Sequence, residues 1–286
     1  MKVFGTIALA VALAMGMLSA CSTPPSPAPA LDTPATLARS YQYTMTSQHT
    51  GRAYVIQVSA PIDPLPLGVK APVIYVTDGN WYFGMATDIV RLHQIGWAME
   101  PAFVVAIGYP DPTFKSVVAN RETDLLHNKT IGPTGVMGGG GAAFLDFLTD
   151  ELRPFIETRF PVDPGRSVLT GQSLGGLFAA NVLLKRPDSF SGYLIGSPSV
   201  WADNSLLKLA GAFTAGKGQH VFVGVGGGES QAMRDGATAL AKALSAPSAG
   251  LSVEHRELAQ HSHTSMLGAW FATGLYYLLP KPPENK

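Results

Sequence analysis

The residues of this chain that can do covalent chemistry centre on one serine. Gly171-Gln172-Ser173-Leu174-Gly175 has the G-x-S-x-G spacing, preceded by the short apolar run SVLT and followed by the helical pattern LGGLFAANVLL. Between a buried strand and a helix, that spacing describes a turn so tight that side chains two residues either side of the serine are excluded, hence glycine at both places. The turn lifts the Ser173 hydroxyl above the sheet edge and sets it at a helix N-terminus, where the peptide dipoles favour developing negative charge. The chemistry implied is nucleophilic attack on an acyl carbon. Such a serine needs a base, and the base needs an acid to orient it.

Seven histidines are present. His49, His93 and His127 precede the serine, and His220 and His255 fall within predicted strands. His261 and His263 remain, in the loop AQHSHTSM between the last predicted strand and the last predicted helix, where an α/β hydrolase carries its base. Position alone leaves both open. The acid belongs between serine and histidine, just past a strand. Asp188 sits in the ordinary turn KRPDSF, Asp203 in SPSVWADN, and Glu254 and Glu257 on the last predicted strand. Glu229, in GVGGGES directly past HVFVGV, stands where it would hold the imidazole tautomer and stabilise the imidazolium. Asp235, one turn further on, is the fallback.

The elements that must position these groups alternate. Hydrophobic pattern predicts strands over 52–59, 73–77, 103–107, 167–170, 192–196, 220–225 and 251–257, and helices over 142–159, 174–185, 232–244 and 265–278. The later strands are short and apolar on both faces, as strands inside a parallel sheet must be. In the first helix Phe144, Leu145, Leu148, Leu152, Phe155 and Ile156 share one stripe. Strand and helix in alternation give an α/β fold, a mostly parallel sheet with helices on both faces. The stretch 108–141 has no clear periodicity and ends in the run Gly138–Gly141; without a following Lys-Ser or Lys-Thr the run is not a phosphate loop.

Composition narrows the function. The chain has 286 residues with 20 basic and 20 acidic side chains, a formal net charge of zero, which argues against a nucleic-acid partner. It is 46% hydrophobic and 14% charged, enough for one large domain with a real core. Its single cysteine closes off an internal disulfide and a cysteine zinc cluster. That cysteine, Cys21, follows a short apolar run and the small residues Leu18-Ser19-Ala20. The pattern predicts a lipoprotein signal peptide over 1–20, lipidation of Cys21, and a Pro-rich tether over 21–36. One α/β-hydrolase domain follows over 37–286. No cofactor and no metal is expected.

At these residues the chain resembles the "Putative esterase" (esterase D-like) family of α/β hydrolases, which includes feruloyl esterases, mycolyltransferases and enterobactin/salmochelin esterases. The segments VIYVTDGNWYF, FLDFLTDELRPFIETRFPVDPGRSVLTGQSLGG, GYLIGSPSVW and HTSMLGAWFATGLYYLL carry the resemblance, nearest to the periplasmic siderophore esterases. It implies a serine esterase working through an acyl-enzyme. The family's His-x-Ser before the last helix favours His263 over His261. Its oxyanion hole implies the backbone N–H of Leu174 and of Asn80, with Asp78 and Gly79 shaping the turn. Gln172 departs from the family's usual histidine. The resemblance further implies Arg121 at the substrate mouth; Trp81 and Trp201 are expected beside it as aromatic walls. The expected substrate is a ferric catecholate siderophore of the enterobactin trilactone type, met in the periplasm by an outer-membrane lipoprotein. A general carboxylesterase, an acyltransferase, and an iron-chelate-binding lipoprotein without catalysis are the alternatives.

Overall fold

The computed structural model describes residues 35–132, 135–203 and 205–280. By contacts the chain divides into 1–36 and 37–286. The expected signal segment, Cys21 and nearly all of the tether lie outside the described residues.

In chain order the second unit runs β1 (Ser40–Thr46), β2 (Ala53–Ser59), β3 (Ala71–Val76), α1 (Gly79–Ile95), β4 (Phe103–Gly108), α2 (Phe114–Asp124), β5 (Thr130–Gly132), β6 (Gly135–Met137), α3 (Gly141–Asp146) and α4 (Arg153–Arg159). It continues with β7 (Val162–Gln172), α5 (Leu174–Lys185), β8 (Gly192–Gly196), α6 (Leu206–Gly211), β9 (His220–Gly226), α7 (Gln231–Leu244), β10 (Ser252–Leu258) and α8 (Leu267–Leu278). Eight strands form one sheet in the order β1-β2-β4-β3-β7-β8-β9-β10. The β1–β2 and β2–β4 pairs are antiparallel; β4 through β10 run parallel. This is the α/β-hydrolase fold.

Side-chain alternation along the strands fills two cores. Val73 and Tyr75 of β3 join Phe144, Phe147, Leu177 and Phe178 on one face. Ile74 and Val76 join Phe83, Trp270, Phe271 and Leu275 of α1 and α8 on the other. After β3 the chain crosses to one side, to β4; from β7 onward it runs to the other. Loops leaving β3 and β7 therefore diverge, and the crevice between them at the carboxyl ends of the strands is where open α/β sheets place their ligand sites. Asp78–Asn80 and Ser173 stand at its two lips.

Several elements depart from the sequence pattern, which predicts no helix at α1 or α6. The single helix expected over 142–159 is α3 and α4 joined by a π-helical segment, Phe147–Leu152. The wider turn puts Phe147 into the core beside Leu148 and Leu152, all fully buried. Within 108–141 stand α2 and the β5–β6 hairpin. The buried residues of α2 are Val117, Arg121 and Asp124, so its inward face is mostly charged and shows no apolar period. Pattern also predicts no strand at β1, whose residues are mostly exposed on the edge of the sheet.

Candidate active site

Ser173 is the single residue between β7 and α5, with φ 63° and ψ −118°. A side chain held there costs roughly 1–3 kcal/mol and persists only where the surroundings enforce it. They do: Ser173 N–H donates to the Gly196 carbonyl at 2.9 Å, and its own carbonyl accepts from Leu177 and Ser199 N–H at 3.0 and 3.1 Å. The flanking glycines are required by space. A Cβ at Gly171 would stand 2.4 Å from the Gly175 carbonyl carbon, and one at Gly175 would stand 2.5 Å from Thr77 Oγ1.

His263 and Glu229 meet. Glu229 lies on the tight loop between β9 and α7, and His263 on the loop before α8. His263 Nδ1 donates to Glu229 Oε2 at 2.6 Å; the carboxylate is 2% exposed and the imidazole 40%. The other carboxylate oxygen, Oε1, accepts from Ser197 Oγ at 2.5 Å and from Gly226 N–H at 2.8 Å, so the buried acid has donors on both oxygens. Its loop is held in turn by Arg234, which donates to the Gly227 carbonyl at 3.1 Å and to that of Glu229. The alternatives lie elsewhere. His261 Nδ1 pairs with the Ser265 carbonyl at 2.9 Å, and the exposed Asp235 accepts from Gln231 on its own helix.

Asn80 and Leu174 are the second residue of α1 and the first of α5, so neither N–H has a carbonyl one helical turn back to bond. Both belong to this end of the sheet. The turn carrying Asn80 is pinned three times. Asn80 Oδ1 accepts from Tyr109 N–H at 2.7 Å and its Nδ2 donates to the Tyr109 carbonyl at 2.9 Å. Gly79 packs against strand β4, where a Cβ would come 2.8 Å from Ile107 backbone. Asp78, at φ 58°, accepts a bidentate pair from Arg121, Nε to Oδ1 at 2.7 Å and Nη2 to Oδ2 at 3.0 Å. Burial opposes the Arg121 charge, but Asp78 outweighs it and raises the guanidinium above its ordinary value.

Arg121 corrects the sequence expectation. It is not an open cation at the mouth: it is buried and committed to Asp78. Its guanidinium carbon sits 5.4 Å from the Trp81 ring centroid, so it braces the Asp78–Asn80 turn and backs that tryptophan. Trp81 is 36% exposed and Trp201 52%. Phe114, 75% exposed, stacks on Trp81 at 5.9 Å, an aromatic neighbour that the sequence reading misses.

Three further residues at the site are also missed. Ser199 Oγ bonds Ser173 Oγ at 3.2 Å, and Ser197 bonds Glu229; both belong to GSPSV, whose four residues after β8 pass under the serine. Gln172 reaches His263 and Tyr82. Only its departure from the family's usual histidine singles it out. A hollow of about 380 Å³ lined by Gly79, Asn80, Phe83 and Tyr109 borders the oxyanion turn. A cavity of about 720 Å³ lined by Arg39, Tyr41, Leu65 and Phe160 lies at the opposite, amino-terminal end of the parallel strands.

Comparison with known proteins gives the family. Residues 47–268 match the family described as "Putative esterase". The chain is 32% identical over 254 residues to ferri-bacillibactin esterase BesA of Bacillus subtilis, covering 82% of this chain and 88% of that protein. It is 40% identical over 164 residues to the siderophore enterobactin esterase of Emericella nidulans, covering 52% and 53%. Among solved structures it resembles the BES protein from Bacillus cereus, with a TM-score of 0.77 and 30% identity over 86% of this chain and 97% of that one.

Proposed function

The chain belongs to the "Putative esterase" family of carboxylic ester hydrolases, and on that premise we propose that it hydrolyses ester-linked ferric siderophores of the enterobactin-like trilactone type. The observation that carries the chemistry is the 2.6 Å Glu229–His263 pair at the sheet end that holds the strained Ser173. In the first half-reaction Ser173 Oγ attacks the ester carbonyl while its proton passes to His263 Nε2. The N–H groups of Leu174 and Asn80 stabilise the tetrahedral oxyanion. His263 then returns the proton to the departing alkoxide, leaving the acyl-enzyme. Water repeats the sequence and frees the acid. Glu229 holds the imidazole with its proton on Nδ1 and stabilises it when both nitrogens carry one.

The substrate reading rests on the siderophore esterases among the relatives and on the exposed aromatic surface. Trp81, Phe114 and Trp201 offer flat faces to catechol rings. Cutting the trilactone backbone ends the effective concentration that holds three chelating arms on one iron. With Cys21 lipidated after removal of 1–20, the enzyme is an outer-membrane lipoprotein facing the periplasm. The test gives the full chain a trilactone siderophore, ferric and apo, beside a short-chain p-nitrophenyl ester, with Ser173→Ala as control. Cleavage of the trilactone by the wild type alone supports the reading. Cleavage of the small ester only would leave a general carboxylesterase.

A further inference from the structure

The nitrogen of His263 that must take the Ser173 proton is already engaged. Gln172 Nε2 lies 3.0 Å from His263 Nε2 and also 3.0 Å from the His263 carbonyl. Its other end, Oε1, accepts from the Tyr82 hydroxyl at 3.3 Å. The orientation of this amide follows from its partners. A backbone carbonyl can only accept, so the NH₂ must face His263. The Tyr82 phenol is pushed up to about 12, first by burial and then by the Asp78 carboxylate, so it stays a donor and needs the amide oxygen. With Nδ1–H donating to Glu229, Nε2 of the neutral ring presents a lone pair, and Gln172 fills it.

An amide NH₂ has no acceptor capacity on nitrogen. The Gln172–Nε2 contact is therefore attractive only while the imidazole is neutral at Nε2. Nε2 has one lone pair, so the Gln172 N–H must let go of it as the Ser173 proton arrives; the imidazolium N–H and the amide N–H are then two neighbouring donors that repel, while the bond from Gln172 to the His263 carbonyl persists and keeps the loop in place. The protonated nitrogen then needs an acceptor other than Gln172, and the leaving-group oxygen of the ester supplies one.

We propose that Gln172 is a positioning residue that directs the proton of His263 to the leaving group, holding the ring when neutral and expelling its Nε2–H when charged. The proposal rests on the serine-esterase reading and adds to it a reason for glutamine at this position. A leaving group that needs no proton, such as p-nitrophenolate, is indifferent to this device. An alkoxide is not.

The test compares kcat/KM, which reports acylation, on an alkyl ester and a p-nitrophenyl ester with the same acyl group. It uses wild type, Gln172→Glu, whose carboxylate accepts the Nε2 proton, and Gln172→Met, which neither donates nor accepts. The expected result is a fall in the alkyl-to-p-nitrophenyl ratio of roughly tenfold or more for Gln172→Glu, the size of a partly lost general-acid effect, and a smaller fall for Gln172→Met. Thermal midpoints verify that each variant is folded. A folded variant pair whose two rates drop together, or do not drop, overturns the proposal, because a tether for the loop alone would affect both esters equally. Should Gln172→Glu not fold, the ratio in Gln172→Met decides by itself. Persistent turnover by Ser173→Ala would instead remove the serine-esterase reading, a failure distinguishable from that of Gln172.

Discussion

Two carboxylates at the same end of the sheet each hold one basic partner, and they do opposite work. Asp78 is fully buried, and its bidentate arginine is buried with it. The guanidinium is held above its ordinary value by Asp78 and keeps its charge, so the pair is a clamp. Glu229 is as deeply buried, but its partner is a histidine left 40% exposed on the far side, with a second nitrogen held only by the Gln172 amide. Both pairs are short, 2.7 Å at the closest for the bidentate arginine and 2.6 Å for the single histidine bond. What separates a brace from a proton relay is the titratability of the base and access to its second nitrogen.

Breaking the relay should have the largest effect. Glu229→Gln and His263→Ala should each lower kcat for a p-nitrophenyl ester by about 10⁴-fold, near 5 kcal/mol of barrier, with little change in urea midpoint for His263→Ala. His261→Ala should stay within about threefold of wild type. An inactive His261→Ala with an active His263→Ala would overturn the pairing.

Breaking the clamp should act on the fold first. Asp78→Ala strands the Arg121 charge in the interior, a loss of about 3–5 kcal/mol in urea unfolding. The double variant Asp78→Ala/Arg121→Met should recover a good part of that stability without recovering activity, because the oxyanion turn stays unbraced.

Arg121→Lys gives a finer cut between the two roles. A lysine keeps the charge but loses the planar fork, so kcat should fall as well as KM rise, about tenfold in kcat/KM. A change confined to KM would return Arg121 to the role of a cation reading the substrate.

These two carboxylates were unequally legible in the sequence, and the reason is physical. Ser173 is announced by Gly171 and Gly175, because no other residue fits beside Thr77. Glu229 is announced by its place directly past a buried strand. His263 and His261 both suit the same loop, and position could not choose between them; the family pattern favoured the residue that the structure places against Glu229. The Asp78–Arg121 clamp has no local signal, since its halves are 43 residues apart and α2 hides its inward face behind charge. Ser197 and Ser199 have no signal because a short polar side chain beside a strand end has no pattern of its own, and Gln172 shows only as a departure from the family's usual histidine. The fold was plain where parallel strands are apolar on both faces and obscure at β1, an exposed edge.

The smallest effect lies away from both carboxylates. His127, stacked on Phe178 of α5, is lowered to about 4, chiefly by burial and then by Lys185. The unfolded chain binds this proton near the ordinary value of about 6.5 and the folded chain does not, so stability present above that pH is lost as pH falls toward 4. After discounting for partial exposure the loss is about 1–2 kcal/mol. His127→Phe should flatten the urea midpoint between pH 6.5 and 4.

The central claim, that Ser173 is a nucleophile activated from the far side by the Glu229–His263 pair, is tested most directly by covalent labelling. Full-length protein treated with a fluorophosphonate and digested should carry one adduct, on the peptide containing Ser173, formed in step with loss of esterase activity. Labelling should be slowed by orders of magnitude in His263→Ala and be absent in Ser173→Ala. An unlabelled Ser173 in active enzyme, or undiminished ester turnover by Ser173→Ala, would contradict the account.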